Sequence, residues 1–85
     1  MIKLKYQQDP GHGWISVKRD LCVKLGFSDK ISTYSYQRGA SVYLEEDCDA
    51  SLLIDALKAQ GIDYQVIPSY TDKRHPIRSY ERYAA

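Results

Sequence analysis

Nothing in this sequence approaches the ~18 consecutive apolar residues that a membrane-spanning helix requires. Its opening MIKLKYQQ is too polar for a secretory leader. Cysteine is scarce as well. Cys22 and Cys48 stand far apart, outside any C-x-x-C pair, and the two histidines, His12 and His75, add no clustered ligands. Zinc is therefore not expected, nor any other metal or cofactor. The setting expected is the reducing cytoplasm, with both thiols as small buried apolar groups. P-loop, RNP and helix-turn-helix patterns are missing, and no nucleophile signature surrounds either cysteine. Phenylalanine and tryptophan occur once each, against eight tyrosines. Most aromatic area thus carries a hydroxyl that must meet water or a partner, which suits a core edge or a contact surface.

What is present fits one domain. Eighty-five residues, 44% hydrophobic and 27% charged, are enough for a single core and too apolar for a disordered chain. The formal net charge of +1 excludes a globally basic nucleic-acid binder. Its distribution is uneven: Glu45, Glu46, Asp47, Asp49, Asp55 and Asp63 make an acidic middle between basic ends.

Ile2, Leu4 and Tyr6 alternate with Lys3, Lys5 and Gln7, which predicts a strand over 2–7 with one buried face. The run Asp9-Pro10-Gly11-His12-Gly13 must turn, and Trp14 to Val17 returns as a second strand. From Lys18 the spacing of Val17, Leu21 and Leu25 is helical, with Ser16 as the expected cap and Gly26 as the stop. Ile31–Gln37 and Ser41–Glu46 read as a hairpin about Arg38-Gly39-Ala40, with Tyr34 and Tyr36 on one face. Asp47 or Asp49 then caps a helix whose stripe runs through Ala50, Leu53, Ile54 and Leu57 to Gly61. Ile62–Ile67 is a last strand that Pro68 should end. The expected fold is α+β, a mostly antiparallel sheet of four to five strands with two helices on one face, in the order ββαββαβ. If 14–17 joins the first helix, the order becomes the ferredoxin-like βαββαβ. Residues 1–68 form the domain, and 69–85 a polar, basic and aromatic C-terminal arm.

Two groups of residues carry the candidate chemistry. The first is His12, Trp14, Tyr34, Tyr36, Tyr43, Glu45, Glu46 and Asp47, a tyrosine-rich surface beside an acidic run. Adjacent strand residues face opposite sides, so these carboxylates are expected not to converge on a cation. Asp9, His12 and a thiol are likewise expected to stay dispersed rather than to form a relay. The second group is Lys73, Arg74, Arg78, Tyr80, Arg82 and Tyr83, which interleaves cations with rings as single-stranded nucleic acid would require.

The phrases His12-Gly13-Trp14, Ile31-Ser32-Thr33-Tyr34-Ser35-Tyr36, Tyr43-Leu44-Glu45-Glu46-Asp47-Cys48-Asp49-Ala50 and Ile77-Arg78-Ser79-Tyr80 span nearly the whole chain. Together they resemble a family of small proteins, without assigned activity, encoded by bacteriophages, plasmids and other bacterial mobile elements. The resemblance implies a setting in which short accessory proteins bind host proteins or nucleic acid, inhibitors of host defence such as anti-CRISPR proteins among them. With no catalytic constellation, the expectation is a non-enzymatic protein binder. The alternative is a nucleic-acid-binding module using the C-terminal arm. Free sheet edges leave a homodimer open.

Overall fold

A computed structural model describes all 85 residues. The chain is α+β, with a six-stranded sheet and two helices. Strands β1 (Ile2–Gln8) and β2 (Gly13–Lys18) form the first hairpin, and helix α1 (Arg19–Lys24) follows directly. Strands β3 (Tyr36–Arg38) and β4 (Ser41–Glu45) form the second hairpin. Helix α2 (Ala50–Ala59) leads to β5 (Tyr64–Tyr70), and the two-residue β6 (Glu81–Arg82) ends the sheet. The strand order is β5-β1-β2-β4-β3-β6, antiparallel throughout except for the parallel β1/β5 pair. No helix is long and apolar enough to cross a membrane.

Alternation assigns the two faces. Leu4, Ile15, Val17, Val42 and Leu44 point to one side, where Leu53 and Leu57 of α2 and Cys22 of α1 complete the main core with Phe27 and Ile31. Helix α2 is held by this stripe. Helix α1, at six residues, is too short to persist without it. Gly26 takes φ +83 after α1 and Gly39 takes φ +57 in the second hairpin, conformations an L side chain resists.

The C-terminal segment differs most from expectation. Pro68 does not end β5, because β5 is an edge strand and a missing N–H is tolerated there. Thr71 N–H then bonds Gln8 C=O, and the chain crosses the second face of the sheet from the β5 edge to the β3 edge. It is anchored by Ile77, fully buried in the 3-10 turn Pro76–Ser79, and by Tyr83, which enters the main core and donates its O–H to Ser28 C=O at 2.5 Å. The boundary expected at residue 68 falls inside β5, and the expected arm is a docked layer carrying the sixth strand.

Three local expectations also change. Ser16 sits in the middle of β2 and accepts from Gln7 Nε2 at 2.6 Å, so it caps nothing; α1 has no side-chain cap. Residues 31–35 are not strand but a turn. Asp49 occupies the N-cap position of α2, but its carboxylate is turned to that turn, accepting from the backbone N–H and hydroxyl of Ser32 and from the Ser35 hydroxyl. Trp14–Val17 is strand, which leaves the ferredoxin-like order aside.

Candidate functional site

The site begins with Asp9, at the end of β1. Its buried carboxylate accepts from the backbone N–H of Gly11 at 2.9 Å, His12 at 3.0 Å and His75 at 3.0 Å, so the β1–β2 loop closes around it. Arg78 completes the shell with two parallel bonds, Nε to Oδ2 at 2.6 Å and Nη2 to Oδ1 at 2.8 Å. The guanidinium is the main cause that holds the Asp9 carboxyl far below the usual carboxylate range; the carboxylate in turn raises Arg78. This clamp fixes the C-terminal segment against the sheet.

Under the clamp lies Trp14, only 2% exposed. Arg78 stands 5.6 Å from its ring, and His75, His12 and Tyr36 approach with centroids at 6.0, 6.1 and 6.3 Å. Its indole Nε1 is buried without a hydrogen-bond partner. Next to it, Arg82 lies 5.0 Å from the Tyr36 ring and donates to Thr33 C=O at 3.0 Å, which places Tyr34 at the rim, 63% exposed.

The far wall is the acidic turn after β4. Glu45 is buried; its Oε1 accepts from the backbone N–H of Asp47 at 2.6 Å and Cys48 at 3.0 Å, while Oε2 stands 3.5 Å from His12 Nδ1. Glu46 turns to the helix-bearing face and accepts from the Tyr6 hydroxyl, a bond that, with removal from water, pushes the Tyr6 pKa up to about 12. Gly13 permits this: a Cβ there would stand 2.6 Å from the Tyr6 ring and 2.7 Å from the Glu46 carboxylate. One oxygen each of Glu45, Glu46 and Asp47 lie within 4.8 Å of one another. The carboxylates expected to stay apart do converge, because the strand ends at Glu45 and the chain turns. Two of the three are committed to hydrogen bonds inside the protein.

The result is a cleft of about 390 Å³ on the second face. His12, Trp14, Tyr34, Tyr36, Glu45 and Asp47 of the first candidate group share it with Arg78 and Arg82 of the second, and Cys48 joins them. No family model, curated protein or solved structure matches this chain. The site must be read from its own geometry.

Six candidates lie elsewhere. Tyr43 and Tyr80 pair farther along the same face, with centroids at 5.2 Å and Arg38 5.0 Å from the Tyr80 ring. Glu46 is across the sheet. Tyr83 is 4% exposed and no longer a surface residue. Lys73 and Arg74 stay exposed in the loop before the 3-10 turn.

The gathering of His12, a thiol and acids in one cleft corrects the expectation of dispersal. What it can do chemically is limited. Shielding from water and the charges of Glu45, Asp49 and Asp47 raise the Cys48 thiol above its ordinary value, so at neutral pH it is protonated and a poor nucleophile. Asp9, the acid that would orient a relay, is spent on Arg78. Cys48 is also exposed rather than buried, whereas Cys22 is buried and pushed up to about 11. The cleft therefore offers rings and opposed charges for contact, with the unpaired indole donor buried beneath them. Asp9, Ile77 and the Ser32–Ser35–Asp49 cluster organise it, and the local pattern marks Asp9 only as a turn residue and Asp49 only as a cap.

Proposed function

We propose that this chain is a non-enzymatic binding protein that holds a protein partner in the cleft between Trp14, Tyr36 and the acidic turn. The observation that carries the reading is the convergence of Trp14, Tyr34, Tyr36 and Arg82 from three separate segments on one concavity. Trp, Tyr and Arg are the residue types that dominate binding energy at protein interfaces, where rigid rings bury area at low entropic cost. Tyr34 is the exposed anchor, and Glu45 with Asp47 favours a basic group on the partner beside it. The setting we attach to this is a cytoplasmic accessory protein of a bacterial mobile element, acting on a host or phage protein as a defence inhibitor of the anti-CRISPR type does. The family resemblance supports that setting.

The same geometry weighs against a nucleic-acid module built on a free arm. Arg78 is locked to Asp9, Tyr83 is core, and Tyr80 and Arg82 pack on tyrosines of the sheet.

The test is affinity capture from a bacterial lysate with the wild type and with Tyr34→Ala and Arg82→Ala, followed by calorimetry on the captured partner. Each substitution should weaken binding by about 2 kcal/mol, roughly 30-fold. A captured partner whose affinity ignores both changes, or no partner at all, ends the proposal.

A further inference from the structure

The second face of the sheet is only half covered. The C-terminal segment roofs the end that carries Trp14 and Glu45, and the rest is open. We infer that this open half binds the phosphodiester backbone of a single-stranded nucleic acid. The site is distinct from the cleft and from the C-terminal basic residues.

The register places the residues. Directly paired positions share a face, so Ile67, Lys5, Ser16, Tyr43, Tyr36 and Arg82 form one continuous row across all six strands. Lys18, Ser41 and Arg38 form the next row, and Lys3 lies on the same side of β1. Lys3, Lys5, Lys18 and Arg38 are all exposed, and none has an acidic partner; the structure's ion pairs are His12 with Glu45 and Arg78 with Asp9. Among the strand positions on this face the single acid is Glu45, buried at the roofed end. A chain of net charge +1 thus presents four uncompensated cations on one open surface.

The surface is shaped as well as charged. One depression of about 390 Å³ is lined by Lys5, Gln7, Ser16, Lys18, Ser41 and Tyr43, with the largely buried Val17 between Ser16 and Lys18. A second, of about 470 Å³, wraps the β3/β6 edge, where Arg38 and Tyr80 of this face meet Arg19, Gln37 and Glu81 from the helix-bearing side. Ammonium heads, hydroxyls and amides suit phosphate oxygens, and the Tyr43–Tyr80 pair adds ring surface for a base.

A single strand fits better than the other polyanions. At ~4.8 Å per strand the sheet is about 24 Å wide, and a broad sheet face cannot enter a duplex groove, which admits one helix or a two-stranded ribbon. An acidic protein surface would need apolar contact at its centre, and Ile67 is the sole aliphatic side chain on this face of the strands outside the roofed end.

The experiment is fluorescence anisotropy of a labelled single strand over a salt series. Four neutralised phosphates predict a slope of about −2.8 in log affinity against log salt, at roughly 0.7 per phosphate. The exposed triple variant Lys5→Gln/Lys18→Gln/Arg38→Gln, with its fold checked by circular dichroism, should cut that slope to about −0.7 and weaken low-salt binding at least about tenfold. Tyr34→Ala should leave it unchanged, which separates this surface from the cleft. Four outcomes overturn the inference: no salt-dependent binding, equal binding of duplex, equal competition by polyglutamate, or loss of binding with Lys73→Gln/Arg74→Gln in place of the triple variant.

Discussion

Asp9→Asn changes one atom type and should undo the clamp. Oδ1 of Asp9 accepts from Gly11, His12 and Arg78 Nη2, and Oδ2 accepts from His75 and Arg78 Nε. An amide in either orientation turns its NH2 against at least two of these donors and leaves the guanidinium without its charge partner. Removing one member of a buried pair costs about 3–5 kcal/mol, and the partial exposure of Arg78 puts this case near about 3 kcal/mol. For a domain of this size that is a fall of roughly 12–24 °C in Tm. The pH dependence gives the same reasoning a second reading. Asp9 ionises in the fold far below its unfolded value, so the stability it supplies is complete above about pH 4 and drains as pH falls from there. Between about pH 4 and 2 the wild type should lose up to about 1.4 kcal/mol per pH unit more steeply than Asp9→Asn. Urea denaturation followed by circular dichroism at a series of pH values measures both. A loss under about 1 kcal/mol at neutral pH, or parallel curves in acid, refutes the clamp.

Gly13→Ala should lower stability by about 1–3 kcal/mol in thermal melts, because its Cβ meets the Tyr6 ring and the Glu46 carboxylate and forces their hydrogen-bonded pair to shift. Ultraviolet titration should find the Tyr6 phenol ionising near pH 12, with Glu46→Gln bringing it down; the stability from that bond is full below about pH 10 and lost as pH rises toward 12. Asp49→Ser keeps a good capping residue but should still cost about 2 kcal/mol in denaturant melts, since it removes the acceptor of Ser32 and Ser35; a neutral result would make Asp49 a simple cap. A thiol reagent should modify Cys48 alone in the native protein, faster as pH rises toward 9, with Cys22 reacting only after unfolding.

The parts of the fold governed by local pattern were legible. Ile2, Leu4 and Tyr6 announce β1 by alternation, Leu53 and Leu57 announce α2, and Gly39 marks the second hairpin. Elements that depend on distant partners were not. The composition of 69–85 is polar, yet the burial of Ile77 and Tyr83 and the pairing of Arg78 with Asp9 dock it. Pro68 reads as a strand end unless the strand is known to lie at an edge. Asp49 reads as a cap because Ser32 and Ser35, its real partners, precede it by more than a dozen residues. The cleft shows the same division. Most of its residues were visible as candidates, but in two groups assigned to two functions, and only the crossing of the C-terminal segment makes them one surface.

Trp14 is the single tryptophan, which makes that crossing directly observable. Nuclear Overhauser spectroscopy on the folded protein should show cross-peaks from the Trp14 indole to His75 and to Tyr36, and Asp9→Asn should weaken the first set and spare the second. An indole with no neighbours from residues 75–83, beside random-coil shifts for that segment, would remove the roof of the cleft and with it the proposed partner site.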